Sequence, residues 1–401
     1  MSFTRWLSNR LGLSSGPMSR RKTPAARRTV RPTLEALEDR WVPSTLTVLN
    51  NLDSGAGSLR AEIAAAHNND KIVFAPSLDG QTITLNSELL ITKNLIISGP
   101  GAGELTVRGG LTVSYGGTRV FEVTKATTSV TLSGLTISGG RGTEGSGIFN
   151  HGTLTVSNCT LSNNRANDGG GIRNDGTMTV SNSTLSGNFA NFGGGGIFNH
   201  GTMTVSGSTL SGNQINNYLG GGGIFNDGTM TVSGSTLSGN VAVYVKGGGI
   251  RNDGTMTVSG STLSGNTADD GGGGIYNSHF GTMTVSGSTL SGNNSHVGGG
   301  ILNSGTLTVS GSTLSGNDEC GIYNDVRATL TVSDSTLSGN SASVEGGGIF
   351  NDGTLTVKNS SSITGNTAPV GFGADVYNQG VLYLDASSII GILDGNPAVP
   401  I

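Results

Sequence analysis

Four residues carry side chains suited to chemistry and lie on successive variable segments between repeated blocks: Lys246, Asp270, His296 and Glu319. Asp269, Ser295 and Asp318 lie on the same segments, and Glu345 lies on the next one. If the segments stack, Asp270, His296 and Glu319 approach one another, with Lys246 one level away. Carboxylates a few ångströms apart cleave glycosidic bonds by acid–base chemistry, and a lysine serves a lyase as its base. A second set is Asp227, Asp253, Asp325 and Asp352, which share one Asn-Asp-Gly column. Neighbours in that column, such as Asp227/Asp253 and Asp325/Asp352, could hold calcium together with carbonyl oxygens. Tight corners select Asn, Asp and Gly without any metal, and His151 and His200 interrupt the column. Neither set is a firm site. Zinc and phosphate sites are not expected: no Cys/His spacing suits zinc, and no glycine run is followed by Lys-Ser/Thr.

These residues are placed by a repeat. The unit reads Gly-Ile-x-Asn-Asp-Gly-Thr-Met-Thr-Val-Ser-Gly-Ser-Thr-Leu-Ser-Gly-Asn. Its Ile recurs at 148, 172, 197, 224, 250, 275, 301, 322 and 349, with Val376 as a tenth. The spacing runs from 21 to 27 residues, and the segment after the Leu absorbs most of the variation. Thr-Met-Thr-Val alternates with period two, the sign of a half-buried strand. Met178, Met203, Met230, Met256 and Met283 then fill one inward column, and the following valines the next. Short strands, Gly-rich corners and a period near 25 predict an all-β parallel β-helix with three faces. Right-handed winding follows the rule for parallel crossovers. Ten such turns at ~4.8 Å span about 50 Å. Cys159 and Cys320, about seven turns apart, are therefore too distant to bond.

Composition agrees. The chain has 401 residues, of which 69 are Gly, and only 12% are charged. Such a chain has no large aromatic core. Residues 1–44 carry nine Lys/Arg against three acids, whereas the rest carries 13 against 23. An acidic body excludes nucleic acid as its partner, because phosphate binding needs clustered cations. No apolar run is long enough for a transmembrane helix, and residues 1–44 lack the apolar core of an ordinary secretory signal.

The stretch before the repeats predicts strands at Thr45–Leu49, Thr82–Leu85, Leu95–Ser98, Leu105–Arg108, Val120–Val123 and Val130–Ile137. It also predicts an amphipathic helix over 58–66, with Ser58 as its N-cap and Leu59, Ile63 and Ala66 on one face. Gly57-Ser58-Leu59-Arg60-Ala61-Glu62-Ile63 followed by Lys71-Ile72-Val73-Phe74 resembles the N-terminal C-S-L-R-E-A-I module of bacterial extracellular β-helix proteins. Gly stands for its Cys, so no sulfur chemistry carries over. The Gly-Gly-Gly-Ile and Leu-Ser-Gly-Asn elements look like the repeats of the polymorphic outer-membrane protein family, with Leu for that family's Phe. The resemblance covers about residues 45–385 and implies a right-handed, pectate-lyase-like β-helix at a cell surface, often an adhesin. Those proteins carry a C-terminal transporter barrel, for which this chain has no room, so self-export is not expected. Leu34-Glu35-Ala36-Leu37-Glu38-Asp39-Arg40-Trp41-Val42-Pro43-Ser44 instead resembles an export-associated motif, with Met18 as an alternative start. The full Asp cluster and Arg of β-helix pectin-degrading enzymes are not supplied.

The expected organisation is a basic, disordered export segment at 1–44, a cap at 45–75 and the β-helix at 76–401, with regular repeats at 147–378. The expected role is a non-catalytic extracellular or cell-surface protein that binds glycans or proteins. One alternative is a polysaccharide lyase or glycoside hydrolase that uses the variable-loop edge. Another is ice binding, since two-column Thr arrays such as Thr177/Thr179, Thr202/Thr204 and Thr229/Thr231 resemble the ice-contacting faces of some antifreeze proteins. Stacked Asn ladders through Asn150–Asn378 and Asn188–Asn366 are read as structural.

Overall fold

Alternation sends Met and Val inward and Thr outward, and every regular coil obeys it. The computed structural model describes residues 42–110, 117–217 and 219–401. The export-like motif therefore lies almost wholly outside the described residues, as does Met18. Thr-x-Thr-Val-Ser segments stack in parallel register into a 15-stranded sheet that runs from Thr45–Val48 to Val399–Pro400. Ile-x-Asn segments and Thr-Leu-Ser segments each belong to a 13-stranded sheet. The result is a right-handed parallel β-helix of about 14 turns. At ~4.8 Å per turn it is a rod of roughly 70 Å.

The three faces are joined by a fourth, which the repeat pattern does not predict. Six successive turns add a short strand inside the variable segment, from Arg165–Asp168 to Asn294–Ser295. Each places one small or aliphatic residue inward, and Ile215, Ala242, Val245 and Ala268 form a small separate core there. The expected strand Val130–Ile137 is two strands, Ser129–Ser133 and Thr136–Ser138. Gly134 turns the corner between them with φ +62°.

The interior is one continuous apolar cluster built from columns of identical residues. Ile148 pairs with Ile172, Leu161 with Leu185 and Met178 with Met203. Polar columns close the corners, because a buried amide must be bonded. From Asn150 to Asn378, each Nδ2 donates to the next Asn Oδ1 at 2.7–2.9 Å. The second ladder begins at Asn164, one turn earlier than expected, and continues to Asn366 at 2.8–3.0 Å. It ends on Asp375, whose Oδ1 accepts from Asn366 Nδ2 at 2.9 Å. A third column consists of serines: Ser183 N donates to Ser208 Oγ, and Ser208 N to Ser235 Oγ, each at 3.1 Å. Cys159 heads that column, its N donating to Ser183 Oγ at 3.1 Å. Both cysteines are free and buried.

The N-terminal end is closed by a helix, Leu59–Ala65, capped by Ser58, whose Oγ accepts from Ala61 N at 3.2 Å. Leu59 and Ile63 face the core. At its other end Lys93 Nζ donates to the carbonyls of Ala64 at 2.7 Å and Ala66 at 2.6 Å. A cation at a helix C-terminus satisfies both the orphan carbonyls and the dipole. Strands Thr45–Val48 and Asp70–Phe74 pair with each other in the long sheet, so cap and rod share hydrogen bonds.

Candidate functional site

In Ile-x-Asn, Ile and Asn point inward, so x must point out. The strand register stacks these x residues in one column outside the main core: Glu122, Phe149, Arg173, Phe198, Phe225, Arg251, Tyr276, Leu302, Tyr323, Phe350 and Tyr377, of which Phe149, Phe198, Phe225, Tyr276, Leu302 and Phe350 are buried beneath other segments. Aromatic and arginine side chains are thus concentrated on one face of a chain that is only 5% aromatic. This column is absent from the sequence-predicted sites. Its signal is the one letter that changes between the repeat's fixed Ile and Asn.

The N-terminal part of the column is charged and neutralised. Arg119 pairs with Glu88 at 3.0 Å and with Glu122. Arg173 pairs with Glu144 at 2.9 Å, Asp175 at 3.0 Å and Asp168 at 3.8 Å. Burial raises the Asp168 carboxyl above its usual range against the pull of Arg173, and Glu144 adds to the rise. Cations also cover the rings. Arg119 lies 4.9 Å from the Phe149 centroid, Arg173 5.1 Å from Phe198, Arg251 5.4 Å from Phe225 and Lys246 5.0 Å from Tyr276.

The C-terminal part differs. From Leu314 to Ile322 the spacing is eight residues, against 11–14 at the equivalent place in the other regular turns. No fourth-sheet strand forms there, and a notch of about 160 Å³ opens above the column. Tyr323 and Phe350 line it, with centroids 4.5 Å apart and planes 17° from parallel. His296 and Val297 bound it on one side, Glu319 and Cys320 on another, and Ala342, Val344 and Glu345 on the next turn. Among the described residues, neither lysine nor arginine lines it. The Tyr323 hydroxyl is pushed up to about 12, by burial first and then by the charges of Asp325, Asp352 and Glu345 among others. The notch therefore has an aromatic wall with Glu319 and Glu345 among its lining residues.

The sequence-predicted catalytic set is partly assembled. His296 and Glu319 share the notch, but they form no hydrogen bond or ion pair with each other among the described residues. His296 Nδ1 contacts the Asp269 carbonyl oxygen at 2.6 Å. Glu319 Oε2 accepts from Ser343 Oγ at 2.8 Å and Ser343 N at 3.1 Å. Lys246 lies over Tyr276 instead, and Asp270 is exposed outside the notch. The calcium candidates have other partners: Asp227 pairs with His200 at 2.9 Å, and Asp253 binds Arg251 through both oxygens. Asp325 accepts from Ser304 Oγ at 3.0 Å. Asp352 lies beside Tyr323, whose titration it raises. Among the described residues, no group of three or more His, Cys, Asp and Glu is arranged to hold a metal ion. The Thr columns run in register through nine turns, from Thr153 to Thr354.

A family model described as a right-handed β-helix region matches residues 241–390. No curated protein matches the chain. Among solved structures the chain is similar to the pectate lyase Pel9A, at 14% identity and a TM-score of 0.37. That match covers 90% of this chain and 82% of the lyase. By its own strand order the chain folds as a right-handed parallel β-helix, and the family model agrees over the part that it matches.

Proposed function

We propose that this protein is an exported rod that binds glycans outside the cell or at its surface without cleaving them. The observation that carries the reading is the Tyr323–Phe350 notch. The paired rings give the notch an apolar wall, and the carboxylates and histidine at its rim are polar groups that would orient a sugar ring against it. At about 160 Å³ it is smaller than the ~300 Å³ of drug-sized pockets, which suits one ring or a chain end. Among the described residues, no lysine or arginine lines it to stabilise the anion that an eliminating lyase forms. Export rests on the resemblance of residues 34–44.

A second reading, polysaccharide cleavage, is favoured by one feature away from the notch. Glu144 and Asp168 are bridge partners on adjacent turns, and both contact Arg173. A raised Asp168 carboxyl suits a general acid. The two readings separate when the full chain is incubated with acidic, neutral and amino polysaccharides, with and without calcium. Retained glycan without new reducing ends supports the binding rod. New reducing ends that vanish in Asp168→Asn would establish the second reading, and loss only in Asp270→Ala or His296→Ala would move the chemistry to the loop edge.

A further inference from the structure

The fourth sheet turns one column of side chains outward, and that column is charged at both ends with opposite signs. In register it runs from Arg141 to Arg165, then through Val241 to Asn294. Asp318 and its bridge partner Ser341 continue it. Asp318 is held by neutral groups, since Asn294 Nδ2 donates to it at 3.2 Å and Ser341 Oγ at 3.0 Å. Glu345 follows on the Ser341 segment. At the other end, Glu144 and Asp168 follow Arg141 and Arg165 by three residues but pair with Arg173. Arg165 lies 4.1 Å from the Phe189 centroid, which holds its guanidinium without neutralising it. Among the described residues, none of Arg141, Arg165, Asp318 and Glu345 has an ion-pair partner. Like charges on paired strand positions oppose each other, so Arg141 over Arg165 is a cost that no acid of this chain offsets.

Val241 lies three turns from Arg165 and three from Asp318, about 14 Å each way at ~4.8 Å per turn. On that central turn Tyr244 is 76% exposed with φ +63°, and its N–H is tied to Asp269 Oδ2 at 2.9 Å. A bulky residue in the left-handed region is an outlier. Phe192 and Leu219 are exposed on the two turns before it. The edge thus has an apolar middle between a cationic and an anionic end.

We propose that this edge joins two copies of the chain, antiparallel, about a two-fold axis at the Val241–Tyr244 turn. Contacts across a two-fold are reciprocal. Arg165 of each copy then faces Asp318 of the partner subunit, Arg141 faces the partner's Glu345, and the two Tyr244 rings meet at the centre. A charge pattern that is its own complement fits a second copy better than a partner of a single sign.

Sedimentation equilibrium of the full chain tests it. A dimer is expected in about 0.01 M salt, with a dissociation constant that rises about tenfold or more by about 1 M, where the Debye length shrinks to about 3 Å. Arg141→Glu/Arg165→Glu puts acids at both ends of the edge, and Asp318→Lys/Glu345→Lys puts cations at both. Each double variant alone is expected to be monomeric. Mixed in equal amounts, the two are expected to form a heterodimer, which also shows that both are folded. A wild type that stays monomeric at about 100 μM in low salt overturns the proposal. So does a dimer of either variant alone, or a mixture that stays monomeric. The readout is mass without ligand, so each of these outcomes leaves the glycan reading standing.

Discussion

Glu319 copies the backbone of Gly298, the residue at the equivalent place one turn earlier, with φ +53° against +59°. The eight other turns from Gly145 to Gly373 also have glycine there, with φ between +51° and +78°. The position selects glycine for a visible reason: a Cβ on Gly298 would lie 2.6 Å from the Ile301 carbonyl oxygen. An L-residue in the left-handed region costs about 1–2 kcal/mol, and here Cys320 follows with φ +74°. Such outliers gather at functional sites, and these two lie on the wall of the notch.

Glu319→Gly therefore tests whether the turn trades stability for a charge. Strain relief exceeds the added unfolded-state entropy of glycine, so the variant should gain roughly 0.5–1 kcal/mol in denaturant unfolding. Its affinity for the retained glycan should fall. A destabilised variant would mean that the turn is unstrained.

The notch exists because one variable segment is short. Inserting Gly-Ser-Gly between Asp318 and Glu319 restores the length found in neighbouring turns. The coil should keep its circular dichroism and Tm within a few degrees, since surface loops tolerate insertions, and glycan retention should be lost. Retention at the wild-type level would place the ligand elsewhere.

The Asn ladder makes a sharp stability prediction. Asn252 accepts from Asn226 and donates to Asn277, wholly inside the rod. Asn252→Ala leaves buried partners on both sides unpaired and should cost roughly 2–4 kcal/mol by denaturant unfolding. A loss below about 1 kcal/mol would show that water or a shifted rung replaces it.

Burial pushes the Cys159 thiol up to about 11 and Cys320 to about 12, from an ordinary 9.0. Above pH 9 the unfolded chain releases both protons while the folded chain keeps them, so stability falls as pH rises. The slope approaches about 1.4 kcal/mol per pH unit for each thiol until the folded groups titrate. Urea midpoints of the double variant Cys159→Ser/Cys320→Ala should fall less steeply than wild type over that window. Parallel curves would contradict the burial of the thiols. Cys159→Ser extends the serine column by one rung, so that half of the variant should fold normally.

Much of this was legible in the letters. The 21–27-residue spacing carries the rod, Met178 and Val180 carry its inward columns, and Ser58 marks the helix start. The fourth sheet is not legible, because strands such as Val241–Ala242 have one inward residue and no period to detect. The break at Gly134 hides inside a stretch of alternating apolar and polar residues, Val130 to Ile137. Lys246, Asp270, His296 and Glu319 could not be aligned, since their segments differ in length and side-chain height depends on each loop's path. Tyr323 and Phe350 were readable in principle: the repeat varies at x while Ile and Asn stay constant, and the shortest segment ends beside Tyr323.

The most direct test of the glycan-binding rod is the affinity of wild-type protein and Tyr323→Ala for the polysaccharide that wild type retains best. The account predicts about a tenfold or greater loss, in line with the removal of a ring-stacking aromatic, with Tm shifted by only a few degrees. Equal affinity at equal stability would contradict it and remove the notch as the binding site.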